Sequence, residues 1–275
     1  MLTVGIILAA VVVGGIGIVI GIVLGVAGEK FKVEIDPREE AVLDALPGNN
    51  CGACGFPGCS GLAAAIAKEE APVNACPVGG AAVADVVGGI MGVAAGESRR
   101  MVAFVMCGGD CEKTTDLYKY TGVEDCQTVK FMQNGGPKGC NYGCMGFGSC
   151  VKACPFDAIH VVNGVAVVDK DACKACEKCI KACPNNLIEL VPYDATHLVN
   201  CHSNAKGKEV TGSCKVGCIG CMMCVKACEH EAITVTNFLA HIDQDKCVGC
   251  GACAAKCPRK IILGPPALPE KKAEE

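Results

Sequence analysis

The chain has 275 residues, of which 25 are cysteines, and its formal net charge at pH 7 is −4. This charge gives no basic surface for nucleic acid, so we expect no nucleic-acid partner. Aromatic residues make up 4% of the chain and tryptophan is absent, which argues against one large conventional core. Metal–thiolate bonds are expected to supply much of the order instead, so removing the metal should unfold the soluble part.

The first segment, residues 1–28, is predicted to be a single transmembrane anchor. From Thr3 to Ala27 it carries no charge, and as a helix it would span roughly 37 Å, enough for a hydrocarbon layer of roughly 30 Å. A cleaved signal peptide, the alternative, needs a basic n-region, which the first three residues lack. Three glycines recur every fourth residue and favour packing against another membrane subunit: Gly17, Gly21 and Gly25.

Three basic residues follow the anchor: Lys30, Lys32 and Arg38. By the positive-inside rule they place the rest of the chain on the cytoplasmic side of the cell membrane. That side is also reducing, so thiols there stay free to bind metal. The anchor has no ionisable residue, so any ion transport must belong to partner subunits.

Residues 29–80 are predicted to form a small α-rich module around one [4Fe–4S] cluster. Asp36 followed by Pro37 fits a helix N-cap with proline at the first position, and this helix is expected to end at Leu46. A second helix is predicted over Gly61–Ala71. The proposed ligands are four cysteines, separated by glycines that can turn backbone N–H groups toward a cluster: Cys51, Cys54, Cys59 and Cys76. Structural zinc is the alternative for this module.

Residues 81–139 form a connecting region, with a helix followed by a predicted strand at Met101–Met106. It holds three cysteines outside any run: Cys107, Cys111 and Cys126. Two repeated modules follow, at residues 140–190 and 214–263, separated by a linker at 191–213 that contains Cys201. The tail, residues 264–275, is predicted to be disordered because it is rich in proline and charge.

The two modules are a tandem repeat, since one constant shift along the chain brings them into register. It places Cys140, Cys144, Cys150 and Cys154 on Cys214, Cys218, Cys224 and Cys228, and the run from Cys173 on the run from Cys247. The same shift matches Val165–Asp169 with Leu239–Asp243. Short β-strands are therefore predicted between the cysteine runs of both modules.

The cysteine spacing points to iron–sulfur clusters. A complete run reads Cys-x-x-Cys-x-x-Cys-x-x-x-Cys, in which three cysteines bind one cube and the fourth binds the other cube of a pair. Structural zinc normally takes two separated Cys-x-x-Cys pairs, and disulfide frameworks need an oxidising compartment, so both fit poorly. The predicted fold class is α+β: one N-terminal transmembrane helix, the small α-rich [4Fe–4S] module, and two tandem bacterial-ferredoxin-like 2[4Fe–4S] modules.

The first run lacks its middle ligand, because Phe147 stands where the second module has Cys221. We favour Cys140 as the replacement; the alternative is a [3Fe–4S] cluster at the Cys144/Cys150 site. The first module is thus assigned two ligand sets: Cys140, Cys144, Cys150 and Cys183, then Cys173, Cys176, Cys179 and Cys154. The second module is assigned the equivalent sets: Cys218, Cys221, Cys224 and Cys257, then Cys247, Cys250, Cys253 and Cys228.

With the N-terminal set, this assignment makes five clusters and uses twenty cysteines. The five cysteines that remain would suffice for a sixth cluster with one thiol spare, unless they are inert buried thiols: Cys107, Cys111, Cys126, Cys201 and Cys214. The sequence does not indicate which four of them would be the ligands.

Three features together resemble the B subunit of the Rnf complex, and in particular its longer, anaerobe-type members. They are an N-terminal membrane helix, the motif Cys51-Gly-Ala-Cys-Gly-Phe-Pro-Gly-Cys59 with Cys76-Pro-Val-Gly79, and duplicated ferredoxin modules. The resemblance covers nearly the whole chain. It implies an electron-carrier subunit of a membrane-bound ferredoxin:NAD⁺ oxidoreductase coupled to Na⁺ or H⁺ transport. Reduced soluble ferredoxin would deliver electrons, and other membrane and cytoplasmic subunits would receive them.

The residues alone support electron transfer but not its direction, because [4Fe–4S] potentials range from roughly −700 to +450 mV with their surroundings. Outside the anchor there is no glycine-rich nucleotide motif, and no nucleophile–base pair is visible, so no catalytic residue is assigned. Two alternatives remain. One is a membrane-anchored polyferredoxin of another reductase or hydrogenase, and the other is a zinc-bound scaffold without a redox role.

Overall fold

The computed structural model describes residues 2–30, 36–96 and 99–264, with the side chains of the first range described at 13–27 and 30. Helix α1 covers Leu2–Lys30, and its described apolar side chains are exposed, Ile18 and Leu24 at 66% each. Among the residues whose side chains are described, no helix is long and apolar enough to cross a membrane. The transmembrane anchor therefore stays a prediction, and the predicted disordered tail lies outside the described residues from 265 onward.

Three described helices form the N-terminal module: α2 Pro37–Ala45, α3 Cys59–Ala67 and α4 Gly80–Met91. The module therefore extends beyond its predicted end at residue 80, because α4 packs in the same core. Helix α2 begins where the sequence predicts, because the Asp36 carboxylate accepts a hydrogen bond from Arg38 N–H at 2.8 Å and caps the first turn. Pro37 at the first position has the backbone angle that a helix needs. The helices pack around a small aliphatic core that includes Val42, Leu62 and Val87, all buried.

Helix α3 is shifted toward the N-terminus from its predicted range of Gly61–Ala71. It begins at Cys59 because Gly58 adopts a φ of 92°, a left-handed angle that glycine tolerates and that turns the chain into the helix. The first residue of α3 is therefore itself a candidate ligand, which the alanine-rich pattern alone did not indicate.

The two ferredoxin-like modules share one order of elements. The first contains β1 Met101–Val105, α5 Cys126–Val129, α6 Ser149–Ala153, β2 Ile159–Val162, β3 Val165–Val168, α7 Lys178–Ala182 and β4 Ile188–Pro192. The second contains β5 Leu198–Val199, α8 Gly207–Ser213, α9 Met223–Lys226, β6 Ile233–Thr236, β7 Leu239–Ile242, α10 Ala252–Lys256 and β8 Ile262–Leu263. The strands predicted after Val165 and Leu239 are confirmed as β3 and β7.

Each module is built from two antiparallel strand pairs. β2 pairs with β3 and β6 with β7 as hairpins, while the outer strands pair β1 with β4 and β5 with β8. In the outer pairs Val105 lies opposite Ile188, and Val199 lies opposite Ile262. Since the repeat shift that carries Cys140 to Cys214 also carries Ile188 to Ile262, β1 and β5 are equivalent too. The repeat thus extends into the regions that the sequence assigned to the connecting region and the linker.

Cysteines and aliphatic side chains together form the interior of each module. In the first module Ile159 and Leu187 pack with Cys150 and other cysteines. In the second, Leu239 lies in the same core as Cys218 and further cysteines. Because the sulfurs are part of the core, ligation of a metal by them is expected to be coupled to packing.

Candidate iron–sulfur cluster sites

Four cavities in the ferredoxin-like part are each lined by four cysteines. We name them site C (Cys126, Cys144, Cys150, Cys183), site D (Cys107, Cys140, Cys201, Cys214), site E (Cys218, Cys221, Cys224, Cys257) and site F (Cys228, Cys247, Cys250, Cys253). Two more sets of cysteines are grouped as the sequence predicts. We name them site A (Cys51, Cys54, Cys59, Cys76) and site B (Cys154, Cys173, Cys176, Cys179).

Site A combines Cys59, the first residue of α3, and Cys76, which lies between α3 and α4, with Cys51 and Cys54 from the loop that precedes α3. Cys59 N–H donates to Asn50 Oδ1 at 2.8 Å, which fixes the end of this loop. Burial raises the pKa of Cys76, a hydrogen bond from Gly79 N–H opposes this rise, and the nearby thiols of Cys54 and Cys59 raise the pKa further. Three of the four predicted ligands therefore influence one another directly.

Sites B, E and F gather the cysteines that the ferredoxin spacing predicts. In site B, burial raises the pKa of Cys179 to about 12, with further increases from Cys173 and Cys176. Burial likewise raises the pKa of Cys224 in site E to about 11. In both, the fourth cysteine comes from the end of the other run, as in two-cluster ferredoxins.

The cavity of site C is lined by three of the four cysteines predicted for this set and by one other cysteine. Cys144, Cys150 and Cys183 line this cavity as expected, but the fourth cysteine is Cys126. Cys140, the replacement that the sequence favoured, lines site D instead. Burial raises the pKa of Cys150 to about 12, and the neighbouring thiols of Cys144 and Cys126 raise it further.

A short helix positions Cys126. Cys126 N–H donates to Ser149 Oγ at 2.9 Å, and Ser149 Oγ donates to Asp125 Oδ1 at 2.7 Å. Asp125 also caps α5 by accepting from Thr128 N–H at 3.1 Å, and the Ser149 hydrogen bond holds its pKa below the usual value. Because Ser149 begins α6 and directly precedes Cys150, this pair ties Cys126 to the cluster loop.

Phe147, which occupies the position of the missing cysteine in the run, packs against another aromatic residue. The Phe147 ring lies 5.5 Å from the Tyr120 ring, measured between centroids, which is a favourable aromatic distance. The contact brings the segment that carries Cys126 over the run. Spacing alone could not show this, since Cys126 belongs to no run.

The repeat did contain a signal against Cys140. Its equivalent is Cys214, and the second module has a complete run that needs no substitute. Equivalent residues of a repeat are expected to have the same structural role, so Cys140 and Cys214 are expected to lie at one site outside the ferredoxin-type runs. Both line site D, with Cys107 and Cys201. Cys111, the cysteine that remains, is exposed.

The donor sets fit [4Fe–4S] clusters. Each set offers four thiols, the ligation of these clusters. Zinc accepts the same donors, but structural zinc normally takes two separated Cys-x-x-Cys pairs, a pattern that the runs of three cysteines do not follow. Backbone N–H groups also donate to the sulfurs, as Ala103 does to Cys173 Sγ at 3.3 Å and Ala166 to Cys144 Sγ at 3.4 Å. Such bonds stabilise the anionic cluster and tune its potential.

Among the described residues, no three histidine, cysteine, aspartate or glutamate side chains are grouped closely enough to hold a single metal ion.

Comparisons with known proteins agree with this geometry. Family models match as a putative Fe–S cluster at residues 46–78, a 4Fe–4S binding domain at 166–189 and a 4Fe–4S dicluster domain at 217–261. The chain is 46% identical over 252 residues to the B subunit of the ion-translocating oxidoreductase complex of Methanosarcina acetivorans, covering 91% of this chain and 95% of that protein. The chain belongs to the family of Rnf complex B subunits.

Two further Rnf B subunits are similar over most of their length. The B subunit of the Na⁺-translocating ferredoxin:NAD⁺ oxidoreductase complex of Acetobacterium woodii is 46% identical, over 92% of this chain and 76% of its own length. The B subunit of the proton-translocating ferredoxin:NAD⁺ oxidoreductase complex of Clostridium ljungdahlii is 44% identical, over 94% of this chain and 92% of its own. The resemblance to the longer Rnf B subunits is therefore confirmed.

Proposed function

We propose that this chain accepts electrons from reduced ferredoxin and relays them to partner subunits of an ion-translocating ferredoxin:NAD⁺ oxidoreductase complex. The observation that carries the proposal is the set of cavities lined by four cysteines each, in a chain that belongs to the Rnf B family. When bound, each [4Fe–4S] cluster supplies one-electron redox chemistry. Two electrons and one proton convert NAD⁺ to NADH, so two reduced ferredoxin clusters are consumed for each NADH formed.

The chain's own residues hold, insulate and tune the clusters. The four-cysteine sets fix their places, the aliphatic cores exclude water, and backbone N–H groups donate to sulfurs such as Cys76 Sγ at 3.4 Å. Since no nucleotide motif accompanies them in the sequence, NAD⁺ reduction is assigned to partner subunits. The coupling ion is Na⁺ or H⁺, and the relatives named for each ion are similarly close.

The ligand sets follow the structure where it differs from the repeat. We assign Cys126, Cys144, Cys150 and Cys183 to site C. Because Cys126 supplies the fourth thiolate, a [4Fe–4S] cluster is proposed there rather than a [3Fe–4S] cluster. Sites A, B, E and F keep the sets that the sequence predicts.

The membrane anchor is part of the proposal. Side chains all around residues 13–26 of α1 are apolar and exposed, as at Val13 (70%) and Ile22 (61%). At Gly17, Gly21 and Gly25 an added Cβ would meet nothing within 4 Å, so another helix could approach closely there. We propose that α1 crosses the cell membrane once and packs against a membrane subunit, with the cluster-bearing part on the cytoplasmic side.

Rapid mixing tests the donor. The full chain, loaded anaerobically with iron and sulfide, is mixed with reduced ferredoxin while the cluster absorbance is followed. Fast bleaching is expected; no bleaching by ferredoxin, with full bleaching by dithionite, would point to another donor. Metal analysis tests the alternative of a scaffold, because zinc in place of iron and acid-labile sulfide would exclude a redox relay.

A further inference from the structure

Four cysteines outside the ferredoxin-type runs meet at the junction of the two modules. Site D takes Cys107 and Cys140 from the first module and Cys201 and Cys214 from the second, and all four line one cavity. Cys201 and Cys214 are buried, at 9% and 8% exposure. The site is incomplete without both modules.

The two halves of site D are equivalent. Cys140 and Cys214 correspond directly by the repeat shift. Cys107 and Cys201 correspond by strand pairing. Each comes directly after a residue that follows a strand and whose backbone N–H donates to an equivalent carbonyl in the two modules. Those hydrogen bonds are Met106 N–H to Leu187 O and Asn200 N–H to Ile261 O, both 2.8 Å. The shift that relates the two modules also carries Leu187 to Ile261.

Each half also contacts its own ferredoxin-type run in the same way. Cys144 N–H donates to Cys107 Sγ at 3.3 Å, and Cys218 N–H donates to Cys201 Sγ at 3.3 Å. Cys144 belongs to site C and Cys218 to site E, at equivalent positions of the repeat. A sulfur of site D is therefore one hydrogen bond away from a ligand residue of the neighbouring site on either side.

The backbone holds the two halves together across the junction. Gly108 N–H donates to Asn200 O at 3.0 Å, and Thr114 forms an antiparallel bridge with Cys214. At Gly109 an added Cβ would lie 3.4 Å from Cys214 Sγ and 3.8 Å from Cys107 Sγ. The atom nearest to such a Cβ would be Thr114 Cγ2 at 2.7 Å, so glycine allows the close packing here, and one sulfur from each module lies beside it.

We propose that Cys107, Cys140, Cys201 and Cys214 bind a sixth [4Fe–4S] cluster, which forms the electron-transfer bridge between the two ferredoxin-like modules. The inference rests on the proposed relay function and adds a ligand set and a path to it. An electron that leaves site C reaches site E by way of site D, and the reverse, with no net change at site D after it has passed. The six sets use twenty-four of the 25 cysteines, and exposed Cys111 is the spare thiol.

Metal content tests the site itself. The double variant Cys140→Ala/Cys214→Ala, made in the full chain and loaded with iron and sulfide, is expected to lose about four iron and four sulfide per chain. Cys111→Ala is the matched control and should lose none. Unchanged iron in the double variant, or an equal loss in the control, would overturn the assignment.

A milder change guards against a variant that fails to fold. Cys214→Ser keeps the size of the side chain and removes one thiolate. In electron paramagnetic resonance, one four-iron signal is expected to change or to be replaced by a three-iron signal, while the signals of the other sites persist. A spectrum identical to the wild type would overturn the proposal.

Electron transfer tests the bridge. Limiting reduced ferredoxin is mixed with dilute wild-type or double-variant protein, and dithionite then reports the clusters that remain reducible. In the variant, ferredoxin should reduce the clusters of one module quickly and leave those of the other for dithionite. Reduction of all remaining clusters at the wild-type rate would refute the bridge. If ferredoxin fails to reduce even the wild type, the proposed donor is wrong, and metal content and resonance spectra still decide site D.

Discussion

Replacing Cys126 tests most sharply how site C is completed. Cys144 and Cys150 are 7% and 8% exposed and lie in the module core, so they should hold their share of the cluster without a fourth thiolate. Cys126→Ala is therefore expected to cost about one iron per chain and to convert one [4Fe–4S] cluster to [3Fe–4S], rather than to empty the site. The three-iron signal of the oxidised protein and the iron content measure this.

The chain supplies a matched rescue. Position 147 has the register of Cys221, a ligand position in the second module, so Phe147→Cys should restore the four-iron cluster in the Cys126→Ala background. Losing the Phe147–Tyr120 contact costs about 0.5–1.5 kcal/mol, which should leave the module folded. The same substitution should not rescue Cys140→Ala, whose loss lies at site D. Rescue of Cys140→Ala but not of Cys126→Ala would show that Cys140, as predicted from the sequence, completes site C and that Cys126 does not.

Three further predictions concern the surroundings of the sites. Buried Lys138 donates to the carbonyls of Gly109 at 3.1 Å and Gly164 at 2.8 Å. The substitution Lys138→Met removes this positive charge and should lower the reduction potential of a nearby cluster by roughly 50 mV or more. An unchanged redox titration would contradict this prediction. Gly220 has a φ of 64°, and an added Cβ there would lie 3.0 Å from Phe238 Cα. Gly220→Ala should therefore destabilise the cluster-loaded protein by about 1–2 kcal/mol, whereas the control Gly212→Ala, at a position with open space, should not. Equal denaturation midpoints for the two variants would refute this difference. Stripping the iron with a chelator should abolish most regular structure in far-ultraviolet circular dichroism, and a retained spectrum would show that the cores are stable without metal.

Local spacing predicted the parts of the sites that are local in the chain. In sites A, B, E and F three of the four cysteines need only short turns between them, and in sites B, E and F the two-cluster ferredoxin spacing indicates the fourth cysteine, which comes from the other run. The hairpins were predictable for the same reason, since alternating aliphatic residues between two runs can pair only with their neighbours.

The remaining sites depend on contacts that spacing does not encode. Cys126 is positioned at site C by the hydrogen bond of its N–H to Ser149 and by the packing of Tyr120 on Phe147. Neither contact produces a regular spacing of residues that could be recognised in the sequence. Site D depends on the pairing of β1 and β5 with strands that lie far along the chain, β4 and β8. The repeat gave an indication of this site, because Cys214 is not required by the complete run of the second module and its equivalent Cys140 was therefore not expected to complete the first run.

Iron and acid-labile sulfide per chain test the central claim, a relay of six cysteine-ligated clusters, most directly. The full chain, reconstituted anaerobically and freed of unbound iron, is predicted to hold about twenty-four iron and twenty-four sulfide. A plateau at about twenty of each would contradict the bridge cluster at site D. Zinc in place of iron would contradict the whole account.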